Sequence, residues 1–313
     1  MEQKTTQPRF EDHFGQNRKP DAKPVDLKYL KGIHYAQEQL LLEADRICRE
    51  NGLTYYLWAG TLLGAVRHRN FIPWDDDVDI AMLREDYDRF LEIAPKALGS
   101  AFELVMPGEN GKFFDMIPKI NYIPSVLRAK NGGDEFYLNK HNRVSLDVFC
   151  LDAPKKGIGF KLQLLDLKKW YGYAMGHRQA IYAEKYSPIQ RPVIKTLAFL
   201  GKHKPMPSIL AGQRKASMAG KNADSEHLCV FNERIFFIYP RFKAAWFEKT
   251  AEYEIRGHKF TSICDPDAYL RFVYGDYMTL PPEDKRIPMH ADILPDVTVY
   301  DLDGNLVTCD TKE

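Results

Sequence analysis

Four aspartates fall within five positions at Asp75-Asp76-Asp77-Val78-Asp79, directly after the aromatic turn Phe71-Ile72-Pro73-Trp74. In an extended strand alternate side chains share a face, with residues i and i+2 about 6.6–7 Å apart. Asp75, Asp77 and Asp79 are therefore expected to project together, while Val78 and Ile80 turn into a core. Parallel anions repel, and burying one without a partner is costly enough to force it to take up a proton. A divalent cation removes that conflict. An oxygen-only donor set favours Mg2+ or Mn2+, which also bind phosphate oxygens. A solvated acidic turn after Pro73 is the plainer reading of such a run. The apolar strand around it and the glycine turn before it favour the metal site.

A site of this kind needs a carboxylate from a second strand. In Val144-Ser145-Leu146-Asp147-Val148-Phe149 the apolar Val144, Leu146 and Val148 occupy one face and leave Asp147 on the other. Asp147 is thus the candidate third metal ligand and a candidate general base; Asp152, just past the strand, is the weaker choice. Gly60 lets the backbone approach a phosphate closely, and the N–H groups of a helix opening at Leu62 could cradle an anion beside Thr61. Arg67 on that helix, Lys119 on a strand over 117–122, and Lys285 with Arg286 are candidate phosphate contacts, each with a surface ion pair or a solvated charge as the alternative. Trp58, Trp74, Tyr274 and Tyr277 could stack on a base or meet a cation, or simply fill the core.

Placing these groups requires a mixed architecture. Leu30, Ile33, Ala36, Leu40, Leu41, Ala44, Ile47 and Cys48 recur at three- and four-residue steps, which predicts a helix over 26–50 ended by Asn51-Gly52. Strands are expected over 53–58, 78–82, 102–106, 117–122 and 144–149, and helices over 62–69 and 84–98. Residues 160–222 read as basic, aromatic and mostly helical. Asp303-Gly304 between apolar residues signals a hairpin within 297–307.

With 313 residues, 44% of them hydrophobic, the chain can bury one large core with an appended lobe. A net charge of +1 argues against a dedicated nucleic-acid binder. Charge is nonetheless local: between Lys155 and Lys204 eleven Lys or Arg face two acids, Asp166 and Glu184. That stretch could meet an anionic membrane surface or a lipid-linked glycan, or could form a basic helical cover on the core. Five cysteines, none at CxxC spacing, suit a reduced compartment. The stretch from Met1 to Lys23 lacks the apolar run of a signal peptide, so a cytoplasmic protein, or one at the cytoplasmic face of the membrane, is expected.

The run from Gly60 through Thr61, Leu62, Leu63, Gly64, Ala65, Val66, Arg67 and His68, followed by Phe71-Ile72-Pro73-Trp74-Asp75-Asp76-Asp77-Val78-Asp79-Ile80, closely resembles the signature of the LicD family. That family includes bacterial phosphocholine transferases and is related to fukutin and fukutin-related protein. Asp86-Tyr87, Ser145-Leu146-Asp147-Val148-Phe149 and Tyr274-Gly275-Asp276-Tyr277-Met278 with Pro281-Pro282 and Lys285-Arg286 extend the resemblance over residues 26–290. It implies a nucleotidyltransferase-like α+β (mixed α/β) core, in which Gly60-Thr61 stands for the usual Gly-Ser turn. Asp77 and Asp79 stand for the paired metal ligands, with Asp75 in support. His290 in Pro288-Met289-His290 departs from the family's histidine pair and stays a candidate site residue.

The resemblance further implies transfer of phosphocholine from CDP-choline to a sugar hydroxyl of a lipopolysaccharide, teichoic acid or capsule, with release of CMP. Ribitol, glycerol or ethanolamine phosphate donors, and a non-catalytic nucleotide- or glycan-binding module, are the alternatives. The expected organisation is a tail over 1–25, a catalytic core over 26–155, a basic helical lobe over 156–225, and a C-terminal part over 226–313 completing the catalytic domain.

Overall fold

The computed structural model describes residues 28–127, 133–182, 186–221, 226–233, 241–288 and 297–307; the expected tail lies outside them. Helix α1 (Lys28–Asn51) buries the eight apolar residues whose spacing predicted it, and Gly52 with φ 59° turns the chain out of it. Strand β1 is only Tyr56–Leu57. It is shorter than expected because the Asp86 carboxylate takes the Thr54 N–H at 3.3 Å, while the Trp58 carbonyl accepts from Thr61 and Leu62. The chain therefore enters helix α2 (Ala59–His68) three residues ahead of Leu62. A Cβ on Gly64 would stand 2.6 Å from the Asn70 carbonyl oxygen, so only glycine lets the following turn fold back on α2.

The remaining elements are β2 (Val78–Leu83), α3 (Arg84–Ala97), β3 (Phe102–Val105), β4 (Lys119–Tyr122), β5 (Ser125–Leu127), α4 (Gly133–Phe136) and β6 (Ser145–Asp152). Helices α5 (Gly157–Ala174), α6 (Gln190–Gly201) and α7 (Met206–Ser217) follow, then β7 (His227–Val230), β8 (Phe242–Lys243), β9 (Thr250–Ile255), β10 (His258–Ile263), α8 (Pro266–Tyr274) and β11 (Val297–Val299). The main sheet has the order β1-β2-β6-β4-β3, and β7 joins β6 further along and carries β8. Among the described residues only β2 and β6 run parallel within it; the other pairings are antiparallel. The expected C-terminal hairpin forms at Gly304 (φ 85°), with Tyr300 bridging Leu306 and β11 pairing with β5.

Strand β6 changes partners half-way. It pairs with β4 over Ser145–Asp147 and with β7 from Leu151. Between the two, the Asn232 amide serves as a surrogate strand, accepting from the Cys150 N–H at 3.0 Å and donating to the Val148 carbonyl at 3.2 Å. This satisfies backbone groups that a buried sheet cannot leave unpaired.

Helices α5–α7 build the basic lobe around a core of their own, in which Leu164, Leu167, Tyr171, Met206 and Ile209 pack against Phe113 and Met116. Its far end meets the loop before β4: the Phe113 N–H donates to the His177 carbonyl at 3.2 Å, and Arg178 donates to the Phe114 carbonyl.

Asp152 belongs to this framework rather than to the acidic site. It receives Arg84 Nε at 2.9 Å and a second guanidinium nitrogen at 2.5 Å, and is itself buried. Removing one partner of a buried ion pair strands the other. Asp152→Ala is therefore expected to cost about 3 kcal/mol, since Asp88 still reaches Arg84. Urea unfolding of the metal-free protein checks this, and a change under about 1 kcal/mol would contradict it.

Candidate active site

Three adjacent strands place their functional side chains on one rung. Asp79 of β2 is opposite Asp147 of β6, and Asp147 is opposite Lys119 of β4. Directly opposed residues project to the same face of a sheet, so the register alone brings the two expected acids together. Lys119 Nζ lies 2.6 and 2.7 Å from the two Asp147 carboxylate oxygens and 3.7 Å from Asp115. Lys119, expected against a phosphate, here neutralises the third acid. Asp147 must exchange that partner before it can accept a proton.

The acidic run reaches this rung from a turn. Strand β2 begins at Val78, so strand alternation does not place Asp75. Its N–H donates to the Ile72 carbonyl at 2.9 Å, and its carbonyl lies 2.9 Å from His34 Nε2. Its carboxylate packs against Gly60, where a Cβ would come within 2.7 Å of Oδ2, and bonds with Asp77. Beside it the Asp79 N–H donates to the Thr61 hydroxyl oxygen at 2.9 Å. Gly60 and Thr61 thus hold the acids themselves. The Leu62 N–H, read from sequence as an anion donor, is spent inside α2 on the Trp58 carbonyl, and Tyr269 Oη meets the Ala59 N–H at 3.2 Å.

Burial, and then repulsion from Asp77 and Asp76, holds the Asp75 carboxyl well above the usual carboxylate range. Burial does the same to Asp79, followed by Asp77, Asp147 and Glu233. Glu233 is a site residue that the sequence reading missed. It follows a short strand, and the pairing of β7 with β6 and the Asn232 amide bonds to β6 carry the chain toward the rung. Tyr274 also belongs to the site. Its phenol is pushed well up by burial first and then by Tyr269, Asp75, Asp79 and Asp77.

The outer residues divide. Arg67 donates to the Tyr277 carbonyl at 2.6 Å and to His68 at 2.9 Å, tying α2 to the segment after α8, and burial lowers its pKa. Arg286 lies 5.6 Å from the Trp74 ring centre and donates to the Pro281 carbonyl at 2.9 Å. Trp74 and Arg286 therefore form one wall. Trp58 is core, with its ring 5.0 Å from Phe242 and 5.2 Å from Tyr269. Tyr277 turns its hydroxyl to Asp267 at 3.0 Å. Lys285 is exposed, and His290 lies outside the described residues.

The donor set suits a hard divalent cation chemically: it is oxygen-only, and its carboxylates crowd one another at Asp75 and Asp79. Among the described residues, no group of three or more Asp, Glu, His or Cys side chains stands in metal-holding geometry.

Residues 52–117 match the family model of the LicD/FKTN/FKRP nucleotidyltransferase domain. The chain carries a LicD-type domain. Along most of its length it is similar to the lipopolysaccharide cholinephosphotransferase LicD of Haemophilus influenzae, at 26% identity over 263 residues, 78% of this chain and 89% of that protein. A shorter stretch of 58 residues is 43% identical to an uncharacterised protein of Rickettsia typhi, covering 18% of this chain and 19% of that one. Fifty-two residues are 40% identical to the human ribitol 5-phosphate transferase FKRP, covering 17% of this chain and 10% of that one. The LicD-type match ends before β4, so Lys119, Asp147 and Glu233 join the site through the sheet beyond it.

The raised carboxyls set the sign of a pH effect. A group whose folded pKa exceeds its unfolded value contributes stability below the unfolded value, and that contribution fades as pH rises through the folded value. The metal-free protein should therefore lose stability as pH rises from about 4. Asp79→Asn should raise its neutral-pH unfolding free energy by about 1–3 kcal/mol and flatten that slope. Urea melts in chelator across this range test it; a variant no more stable than the parent at neutral pH would count against the crowding.

Proposed function

We propose that this LicD-like phosphotransferase moves phosphocholine from CDP-choline to a sugar hydroxyl of a cell-surface glycan, of the lipopolysaccharide, teichoic acid or capsule type, and releases CMP. The observation that carries the reading is the Asp79–Asp147 rung, with Asp75 and Asp77 at its foot, on a LicD-type domain. The long similarity to a lipopolysaccharide cholinephosphotransferase supports the donor and the acceptor class.

Asp75, Asp77, Asp79 and Asp147 would hold Mg2+ or Mn2+, which when bound supplies charge to neutralise a diphosphate. The chain's own residues do the rest. Gly60 and Thr61 fix the acids against α2. Asp147, once its Lys119 partner has moved, takes the proton of the attacking sugar hydroxyl. Arg67, Lys119, Lys285, Arg286 and His290 are the cationic or donor groups proposed to face the phosphates, with Arg286 and Trp74 forming one side. Positioning and electrostatic complementarity supply most of the rate in phosphoryl transfer. A cytoplasmic setting suits the thiols, since Cys48, Cys150, Cys229 and Cys264 are all free.

Transfer of another CDP-linked group, such as ribitol, glycerol or ethanolamine phosphate, is the second reading. The stretch shared with a ribitol 5-phosphate transferase favours it. That match is short, 17% of this chain, and carries little information about the group being moved. A non-catalytic binding module would have no use for so many crowded anions.

A panel of CDP-choline, CDP-ethanolamine, CDP-glycerol and CDP-ribitol, scored for CMP release with Mg2+ or chelator, decides between donors. CDP-choline should be preferred and chelator should abolish turnover. Asp77→Asn and Asp79→Asn should each lower kcat about a thousandfold or more, the loss of several kcal/mol of charge stabilisation. Turnover retained in both variants would remove these residues from the chemistry.

A further inference from the structure

Helices α5 and α6 each bury one face and leave an apolar stripe uncovered. On α5, Gln163, Leu164, Leu167 and Tyr171 turn inward, while Ile158 (71% exposed), Leu162 and Leu165 recur at four and three residues on the opposite side. On α6, Ile194, Ala198 and Gly201 turn inward; Val193 and Leu200, preceded by Ile189 (85% exposed), line the other side. The lobe covers the rest of the molecule with its buried faces, so covering it does not account for these stripes. Large apolar side chains repeated at helical spacing in water mark a contact surface.

The charges around them name the partner. Lys156 and Lys161 at the start of α5, Arg191 and Lys195 on α6, and Lys202 and Lys204 just past its end are all exposed. Lys202 lies 4.4 Å from the ring centre of the exposed Phe199, and Lys204 lies 5.4 Å from that of Tyr173. The acid on α5, Asp166, is paired to Lys169 three residues on. Apolar side chains between long cations suit the boundary of an anionic bilayer, where the stems reach headgroup phosphates and the apolar groups enter the acyl region. A second copy of this chain would set cation against cation. Among the described residues no helix is long and apolar enough to cross a membrane, so attachment would be to the surface.

We propose that the exposed faces of α5 and α6 dock the protein on an anionic lipid bilayer. The docking does not depend on which donor the acidic site uses, and it would bring that site to acceptors carried on lipid.

The test is flotation of the full chain with phosphatidylcholine vesicles, with and without phosphatidylglycerol, at low and high salt. Binding should rise with phosphatidylglycerol and fall severalfold with salt. The pair Leu162→Ser and Leu165→Ser, and separately Val193→Ser, should weaken it. Charge reversal by Lys161→Glu with Lys195→Glu should weaken it more than tenfold. Melting curves and CMP release with a soluble acceptor should stay at the parent's values, which separates this outcome from failure of the proposed reaction. Equal flotation on both vesicle types overturns the proposal. So does a dimer in light scattering that these same substitutions dissociate.

Discussion

The repulsion between carboxylates is the constraint on which this molecule is built. Asp75, Asp77 and Asp79 share a small, poorly solvated volume, and Asp147 and Glu233 add to the field. A chain gains nothing in stability from such a cluster, because each anion lifts the proton affinity of the next. The surrounding fold must hold the acids by the backbone, since their side chains push one another apart. It does so with directed hydrogen bonds: Thr61 fixes the Asp79 amide, His34 the Asp75 carbonyl, and the missing side chain of Gly60 makes room for a carboxylate. The Lys119 ammonium relieves Asp147 on the neighbouring strand. The arrangement is rigid in its scaffold and unresolved in its charge, which is what a binding site for a polyvalent ligand requires.

How far the sequence revealed this depends on range. The run from Gly60 to Ile80 is contiguous, so its turn, helix and acids could be read together. Asp147 was legible because the alternation of Val144, Leu146 and Val148 assigns it a face without any tertiary information. Glu233 was not, because its place depends on the Asn232 side chain substituting for a strand, a pairing with no local pattern. The bond from the Arg67 guanidinium to the Tyr277 carbonyl could not be read either, because Tyr277 is far away along the chain. Asp75 was assigned to a strand face by extending the alternation three residues ahead of Val78; Pro73 and the Ile72 carbonyl instead close a turn there. Local patterning gave the elements well, while β1 shrank because Asp86 captured a backbone amide that periodicity cannot foresee.

The lobe illustrates the same division of labour at larger scale. Its helices meet where side chains are absent: a Cβ on Gly176 would lie 2.2 Å from the Ala198 carbonyl oxygen, and one on Gly201 would lie 2.0 Å from that of Tyr173. Close backbone approach fixes the crossing of α5 and α6 with little apolar area, which frees their bulky residues for the outside. The same lobe reaches the loop before β4 through His177 and Arg178, so it is continuous with the strand that carries Lys119.

The parallel pairing of β2 with β6 has a kinetic consequence. Antiparallel neighbours can zip from a turn, but β2 and β6 meet only after α3, β3, β4, β5 and α4 have been laid down between them. Closing so long a loop costs chain entropy before any contact rewards it, and such topologies assemble slowly. Asp79 and Asp147 lie on that late-forming seam. The nascent chain thereby carries only the local run of acids until the rest of the sheet exists to bring Asp147 beside them.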